Sequence, residues 1–139
     1  MTTIADIMTR SIATVQRDET LQAAARRMAE MDVGSLPVLD GRAVAGMVTD
    51  RDIAVRGVAA GMIPQESLVA DVMTEEVRFC RAADSVEQVM AEMGDLQVRR
   101  LPVLDGDNEI VGIVALADIA TRQSTHTDET LREISTPGR

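Results

Sequence analysis

Residues 46–53 read GMVTDRDI, a short apolar run that ends in Thr49, with Asp52 three residues later. A Thr-x-x-Asp step of this kind is a helix N-cap: the hydroxyl accepts one unpaired backbone N–H, and the acid reaches back to another. A helix begun at Thr49 also leaves N–H donors and its positive end available, an arrangement that favours an anion. The pair therefore either only starts a helix or also holds a ligand. Other reactive groups are scarce. The single histidine, His126, lies in the polar run STHTDET, and a zinc site normally needs several His or Cys ligands close together. Ser–His or Cys–His catalysis would need His126 to reach a pocket. The one cysteine, Cys80, cannot form an internal disulfide, and with Val77 and Phe79 beside it a buried, inert strand thiol is expected. This inventory points away from an enzyme and assigns no metal, leaving only carboxylate chemistry open.

The elements that must position these residues occur twice. DIMT at 6–9 returns as DVMT at 71–74, and LPVLDG at 36–41 returns unchanged at 101–106, both 65 residues on. AGMVTDRDIA at 45–54 returns as VGIVALADIA at 111–120, 66 residues on, so one residue is inserted in the turn Asp107–Asn108–Glu109. Each half opens with a short helical entry, Ile4 to Met8 or Val69 to Met73, and a strand near 12–15 or 77–80. A helix follows whose apolar residues, Leu21, Ala24, Ala25 and Met28 or Val86, Val89, Met90 and Met93, fall at i, i+3, i+4 and i+7. Thr20 caps the first of these helices, and Ser85 with Gln88 forms a capping box at the second. Two apolar strands joined at Asp40–Gly41 or Asp105–Gly106 come next, and Asp-Gly between apolar runs signals a hairpin. A final helix starts at Thr49 or Ala115. The order β-α-β-β-α, read twice, predicts an α+β fold of two pseudo-symmetric units: repeat 1 over 1–60, a crossing linker over 61–70, repeat 2 over 71–124 and a polar tail over 125–139.

One such unit has too little core to be comfortable alone, so the two are expected to form one body. With 139 residues, 45 % of them hydrophobic, the chain suits a globular protein of domain size. Its formal charge of −9 repels nucleic-acid phosphates and anionic lipid, and one Phe with no Trp or Tyr offers no base-stacking platform. Neither nucleic acid nor membrane is an expected partner. The N-terminal residues MTTIADIMTR lack an apolar stretch suited to a signal peptide, and no run of eighteen apolar residues occurs, so a cytoplasmic location is expected.

The paired DxMT, LPVxDG and GhVTxxDI segments, in which h is an apolar residue, resemble tandem CBS domains, the cystathionine-β-synthase-type pair called a Bateman module. The resemblance covers nearly all of residues 1–124 and suits a stand-alone bacterial two-CBS protein. It implies two pseudo-symmetric clefts between the halves that take adenosine-containing ligands: AMP, ADP or ATP, with S-adenosylmethionine and NAD among the alternatives. It implies that Asp52 and Asp118 bind ribose hydroxyls and that Thr49 contacts phosphate or sugar. It further implies that the Asp52 cleft draws on Thr74, Arg78, Val98 and Arg99, and the Asp118 cleft on Thr9, Ala13, Val33, Gly34 and Arg100. With so few aromatics, adenine would lie between aliphatic groups such as Met47 and Val33. The second copy departs from the pattern at Ala115, which replaces the cap threonine.

Two functions follow from the resemblance. One is a regulatory module that senses an adenine nucleotide and signals to a separate, unidentified protein. The other is a ligand-independent dimerising scaffold with degenerate clefts, which the loss of the threonine at 115 would favour at that site. Either is expected to be a homodimer, since an isolated pair would expose apolar helix faces such as Ile53–Val58.

Overall fold

A computed structural model of the chain describes residues 2–75, 78–96 and 99–119. In chain order the elements are α1 (Ile4–Ile7), β1 (Val15–Gln16), α2 (Leu21–Met31), β2 (Ser35–Asp40), β3 (Ala43–Thr49) and α3 (Asp50–Asp52). A π-helical turn (Ile53–Val58) and a 3-10 turn (Val69–Asp71) follow, then β4 (Cys80–Arg81), α4 (Val86–Leu96), β5 (Arg100–Leu104) and β6 (Ile110–Ala115). Residues 116–119 are again helical. The fold is α+β, as expected, with shorter opening strands than the sequence suggests.

The described residues fall into two compact units, one from Ala13–Val77 and the other from Met1–Ile12 joined to Arg78–Arg139. The units are thus offset from the sequence repeats, because each DxMT segment packs with strands from the opposite repeat. In the Ala13–Val77 unit, β2 lies between β1, which is parallel to it, and β3, which is antiparallel. Ser35 pairs with Thr49 and Val38 with Gly46, and a bulge between Val38 and Leu39 shifts the register. The other unit repeats this order as β4-β5-β6, with Arg100 opposite Ala115, Val103 opposite Gly112 and a bulge between Val103 and Leu104.

Side-chain periodicity explains the cores. On α2 the residues Leu21, Ala24 and Met28 are buried with Val15, Leu36, Val38, Val48, Val69, Val72 and Met73. Each fully buried large aliphatic side chain stabilises by about 1.5–3 kcal/mol relative to exposure. Ala25, expected on this face, is exposed, so the stripe is narrower than the spacing suggests. On α4, Val86, Val89 and Met93 are buried with Ile4, Met8, Cys80, Leu101, Val103, Val114 and Ile119, and Met90 is half-buried against them. The helix starts follow their caps: Thr20 Oγ1 accepts from Ala23 N–H at 3.1 Å, and Ser85 Oγ accepts from Gln88 N–H at 3.2 Å.

The two hairpins differ as the inserted residue requires. Asp40 pairs with Ala43, and Gly41, first of the two connecting residues, has the positive φ of 68° that suits the first central position of a II′ turn. In the second hairpin the left-handed residue is Asn108 (φ 64°), not Gly106. The turn spans 105–109, and Asp105 Oδ1 accepts the N–H groups of Asp107 (2.8 Å) and Glu109 (3.0 Å).

Candidate functional site

The corner at the end of β3 is fixed from both sides. Thr49 leaves the strand with extended dihedrals, and the chain turns directly into α3. Asp52 N–H donates to Thr49 Oγ1 at 3.0 Å, and Thr49 N–H donates to Asp52 Oδ2 at 3.0 Å. This is a complete capping box, so the structural use of the Thr-x-x-Asp step is realised. The box occupies one carboxylate oxygen. The other, Oδ1, faces Arg56 Nε at 3.9 Å. Both Thr49 and Asp52 are half-buried.

Thr74 and Gly34 flank this corner in the same unit. Thr74 and Met47 exchange backbone hydrogen bonds of 2.9 Å in each direction, which adds the DVMT segment beside β3 two residues before Thr49. Gly34 C=O accepts the Asp50 N–H at 2.9 Å, which ties the start of β2 to the start of α3. Val33 and Ala13, both half-buried, pack against the core of this unit.

The counterpart corner, at the end of β6, has the same backbone plan and different side chains. Ala115 stands where Thr49 does and offers no hydroxyl; Asp118 is exposed. Leu116 N–H donates to Arg99 C=O at 2.7 Å, the equivalent of the Asp50–Gly34 bond. Thr9 and Ile113 exchange backbone bonds of 2.8 and 3.0 Å, as Thr74 and Met47 do. Arg100 pairs with Ala115 across the sheet, three residues before Asp118.

The site residues expected from the sequence therefore divide by unit. Thr49, Asp52 and Thr74 lie in Ala13–Val77 with Ala13, Val33 and Gly34, whereas Thr9, Arg78, Arg99, Arg100 and Asp118 lie in the other unit. Arg78, Arg99 and Arg100 are exposed. Val98, His126 and the 125–139 tail lie outside the described residues. Sequence reasoning did not single out Arg56. Its signal was present as the i,i+4 spacing from Asp52, the usual separation of an ion pair on one helix face.

Among the described residues, no group of three or more His, Cys, Asp or Glu side chains gathers where it could hold a metal ion. No helix among them is long and apolar enough to cross a membrane. Cys80 is buried, with Sγ 3.9 Å from the Pro102 carbonyl oxygen. Burial first, then the negative Asp84 and Glu92 nearby, push its thiol up to about 12. Phe79 is exposed, and its ring centre lies 5.2 Å from the Arg81 guanidinium carbon.

Known proteins share this plan along most of the chain. Hypoxic response protein 1 of Mycobacterium tuberculosis is 39 % identical over 127 residues, covering 91 % of this chain and 88 % of that protein. The CBS domain-containing protein YhcV of Bacillus subtilis is 40 % identical over 126 residues, covering 91 % and 89 %. The crystal structure of Hypoxic Response Protein I, solved with two coordinated zinc ions, superposes with a TM-score of 0.77 at 40 % identity, over 88 % of this chain and 99 % of that one. More distant, and informative for the fold alone, are two structures at 23 % identity. One is CBSX2 of Arabidopsis thaliana in complex with AMP, with a TM-score of 0.75 over 88 % of this chain and 96 % of that one. The other is a CBS domain pair in complex with 5′-methylthioadenosine and S-adenosyl-L-methionine, with a TM-score of 0.76 over the same shares. The sequence profile of the CBS domain matches twice, over residues 4–57 and 69–124, and the chain belongs to the CBS-domain family.

Proposed function

We propose that this protein is a regulatory module that binds an adenosine-containing nucleotide, of the AMP, ADP or ATP type, and passes its occupancy to a separate protein. The observation that carries the reading is the Thr49–Asp52 corner. Its capping box uses Asp52 Oδ2, while Oδ1 of this half-buried carboxylate lies 3.9 Å from Arg56 Nε, beyond hydrogen-bond distance. A fixed carboxylate of this kind can accept from two vicinal ribose hydroxyls, whereas the first N–H groups of α3 are already taken by Gly34 O, Asp50 Oδ1 and Thr49 Oγ1. The AMP- and S-adenosyl-L-methionine-bound proteins of the same fold support adenosine as the common element, with S-adenosylmethionine or NAD as alternative ligands. The role is binding in the cytoplasm, without catalysis, and the active form is a homodimer. Val55 and Val58 on the π-helical turn, both exposed, suit such a contact.

A thermal-shift screen against AMP, ADP, ATP, S-adenosylmethionine and NAD tests the ligand. Saturating nucleotide at a hundred times its dissociation constant adds about 2.7 kcal/mol of stability. A flat screen at millimolar ligand would leave the second reading, a ligand-independent scaffold, which Ala115 and the exposed Asp118 favour for their corner. Light scattering at high micromolar protein tests the dimer; a monomer mass excludes it.

A further inference from the structure

We infer that Arg56 is a positioning residue for the Thr49–Asp52 corner: it orients the Asp52 carboxylate and fastens it to the segment that carries Thr74. The functional half of this inference rests on the nucleotide-binding reading above; the structural half does not. Arg56 lies four residues after Asp52, with Nε 3.9 Å from Asp52 Oδ1. Its NH1 group donates to the Val72 carbonyl at 3.4 Å. Val72 is two residues before Thr74, Thr74 is paired through its backbone with Met47, and Met47 is two residues before Thr49. The contacts close a ring through Thr49, Asp52, Arg56, Val72, Thr74 and Met47, all inside one compact unit.

Within that ring Oδ2 accepts from the Thr49 N–H, and Oδ1 faces the Arg56 guanidinium across an ion-pair distance of 3.9 Å. The Asp52 side chain is 16 % exposed and that of Arg56 is 57 % exposed, so the arginine is the solvent-side partner. An ion pair this exposed adds little to stability. Its effect is orientational: a carboxylate that must meet two hydroxyls gains from a single rotamer set before the ligand arrives. Because the same guanidinium holds Val72 C=O, the positions of Asp52 and of the Thr74 segment are linked through one side chain.

The test reads Thr49 amide exchange by NMR in the full chain, relative to the Ala24 amide in α2, and AMP affinity by calorimetry. Arg56→Gln is expected to speed Thr49 exchange about two- to fivefold over Ala24, and Arg56→Lys to restore part of the protection. Arg56→Gln should weaken AMP binding about tenfold in the wild-type background and at most about twofold on top of Asp52→Asn, the non-additivity expected of residues that act as a unit. Unchanged Thr49 exchange in Arg56→Gln overturns the inference, as does an equal loss of AMP affinity in both backgrounds. If AMP fails to bind the wild type, the nucleotide reading falls and Thr49 exchange alone decides whether Arg56 positions Asp52.

Discussion

Gly46 passes so close beneath Thr74 that a Cβ on Gly46 would collide with the Thr74 carbonyl oxygen, with Met73 Sδ a further 3.3 Å neighbour. Gly112 repeats the relationship in the other unit, where a Cβ would lie 2.7 Å from Met8 Sδ and 2.9 Å from Thr9 O. The glycine of the apolar GhV step and the DxMT segment are therefore two sides of one contact. Gly46→Ala must push the backbone at Thr74 away, because a carbonyl cannot rotate aside as a side chain can. The expected cost is about 1–3 kcal/mol, an overpacking penalty. Circular-dichroism melts should show a fall on the order of 3–10 °C. Gly106→Ala, where a Cβ would meet nothing within 4 Å, serves as the control and should stay near wild type.

The repeat, the hairpins and the helix caps were legible because each rests on local chemistry. A Thr20 or Ser85 hydroxyl is followed three residues later by the N–H it binds, and the apolar stripes of α2 and α4 follow the helical period. The inserted residue in the second turn was also visible, although its consequence, a left-handed Asn108 in place of a glycine, was not. Association at long range was legible only through the family resemblance, which put Thr74 with Asp52 and Thr9 with Asp118; the backbone pairing itself was not. DVMT follows the first repeat, and nothing in its composition says that Thr74 docks on Met47 or that Thr9 docks on Ile113. That information lies in the steric fit at Gly46 and Gly112. The capping box at Thr49 was foreseen, but Arg56 was not, because its second partner is the backbone carbonyl of Val72, which no side-chain motif reveals.

Acid should weaken the protein partly through Glu19. Its carboxylate receives two bonds from Arg27, at 3.0 and 3.1 Å, and one from Gln16 N–H at 2.8 Å, while Arg27 also holds Thr14 C=O at 2.8 Å. The Arg27 hydrogen bonds first, with the Gln16 N–H and Arg27 charge adding to them against desolvation, hold Glu19 below the ordinary glutamate value of 4.5. A lowered pKa means that the unfolded chain binds the proton more readily. The contribution is present above 4.5 and is lost as pH falls through the lower folded value. Discounted for partial exposure, it is about 1 kcal/mol. The melting-temperature gap between wild type and Glu19→Gln should be widest near neutral pH and close below that window. A gap that persists undiminished at the acid end would rule this out.

Cys80 should be inert while the fold is intact. With the thiol buried and its pKa pushed up to about 12, thiolate is scarce at pH 8 and reagent cannot reach it. Labelling with a chromogenic disulfide should be slow in buffer and complete within seconds to minutes in denaturant. Fast native labelling would mean that β4 opens from the Val103 side of its sheet.

The two corners should differ as ligand sites, and Asp52 should matter more than Asp118. The Asp52 corner has the Thr49 hydroxyl, a half-buried carboxylate and the Thr74 segment at the neighbouring strand position. The Asp118 corner has Ala115 in place of the hydroxyl and an exposed acid, with Arg100 as the cross-strand neighbour of Ala115. Loss of one hydrogen bond to a charged group costs about 1.5–3 kcal/mol, roughly ten- to a hundredfold in affinity. Asp52→Ala should therefore abolish most of the nucleotide-induced rise in melting temperature, and Asp118→Ala should remove less of it. In the empty protein the order of effects has a separate cause. Asp52→Ala also breaks the capping box and should cost about 1 kcal/mol, the usual worth of a cap. Asp118 is exposed and lacks a threonine partner, so Asp118→Ala should be nearly silent without ligand, within about 0.5 kcal/mol as for an ordinary surface change. Calorimetric titration of both variants with AMP separates the two roles. If Asp52→Ala loses stability while AMP affinity stays at the wild-type value, Thr49 and Asp52 are a helix cap alone, and any bound nucleotide sits elsewhere.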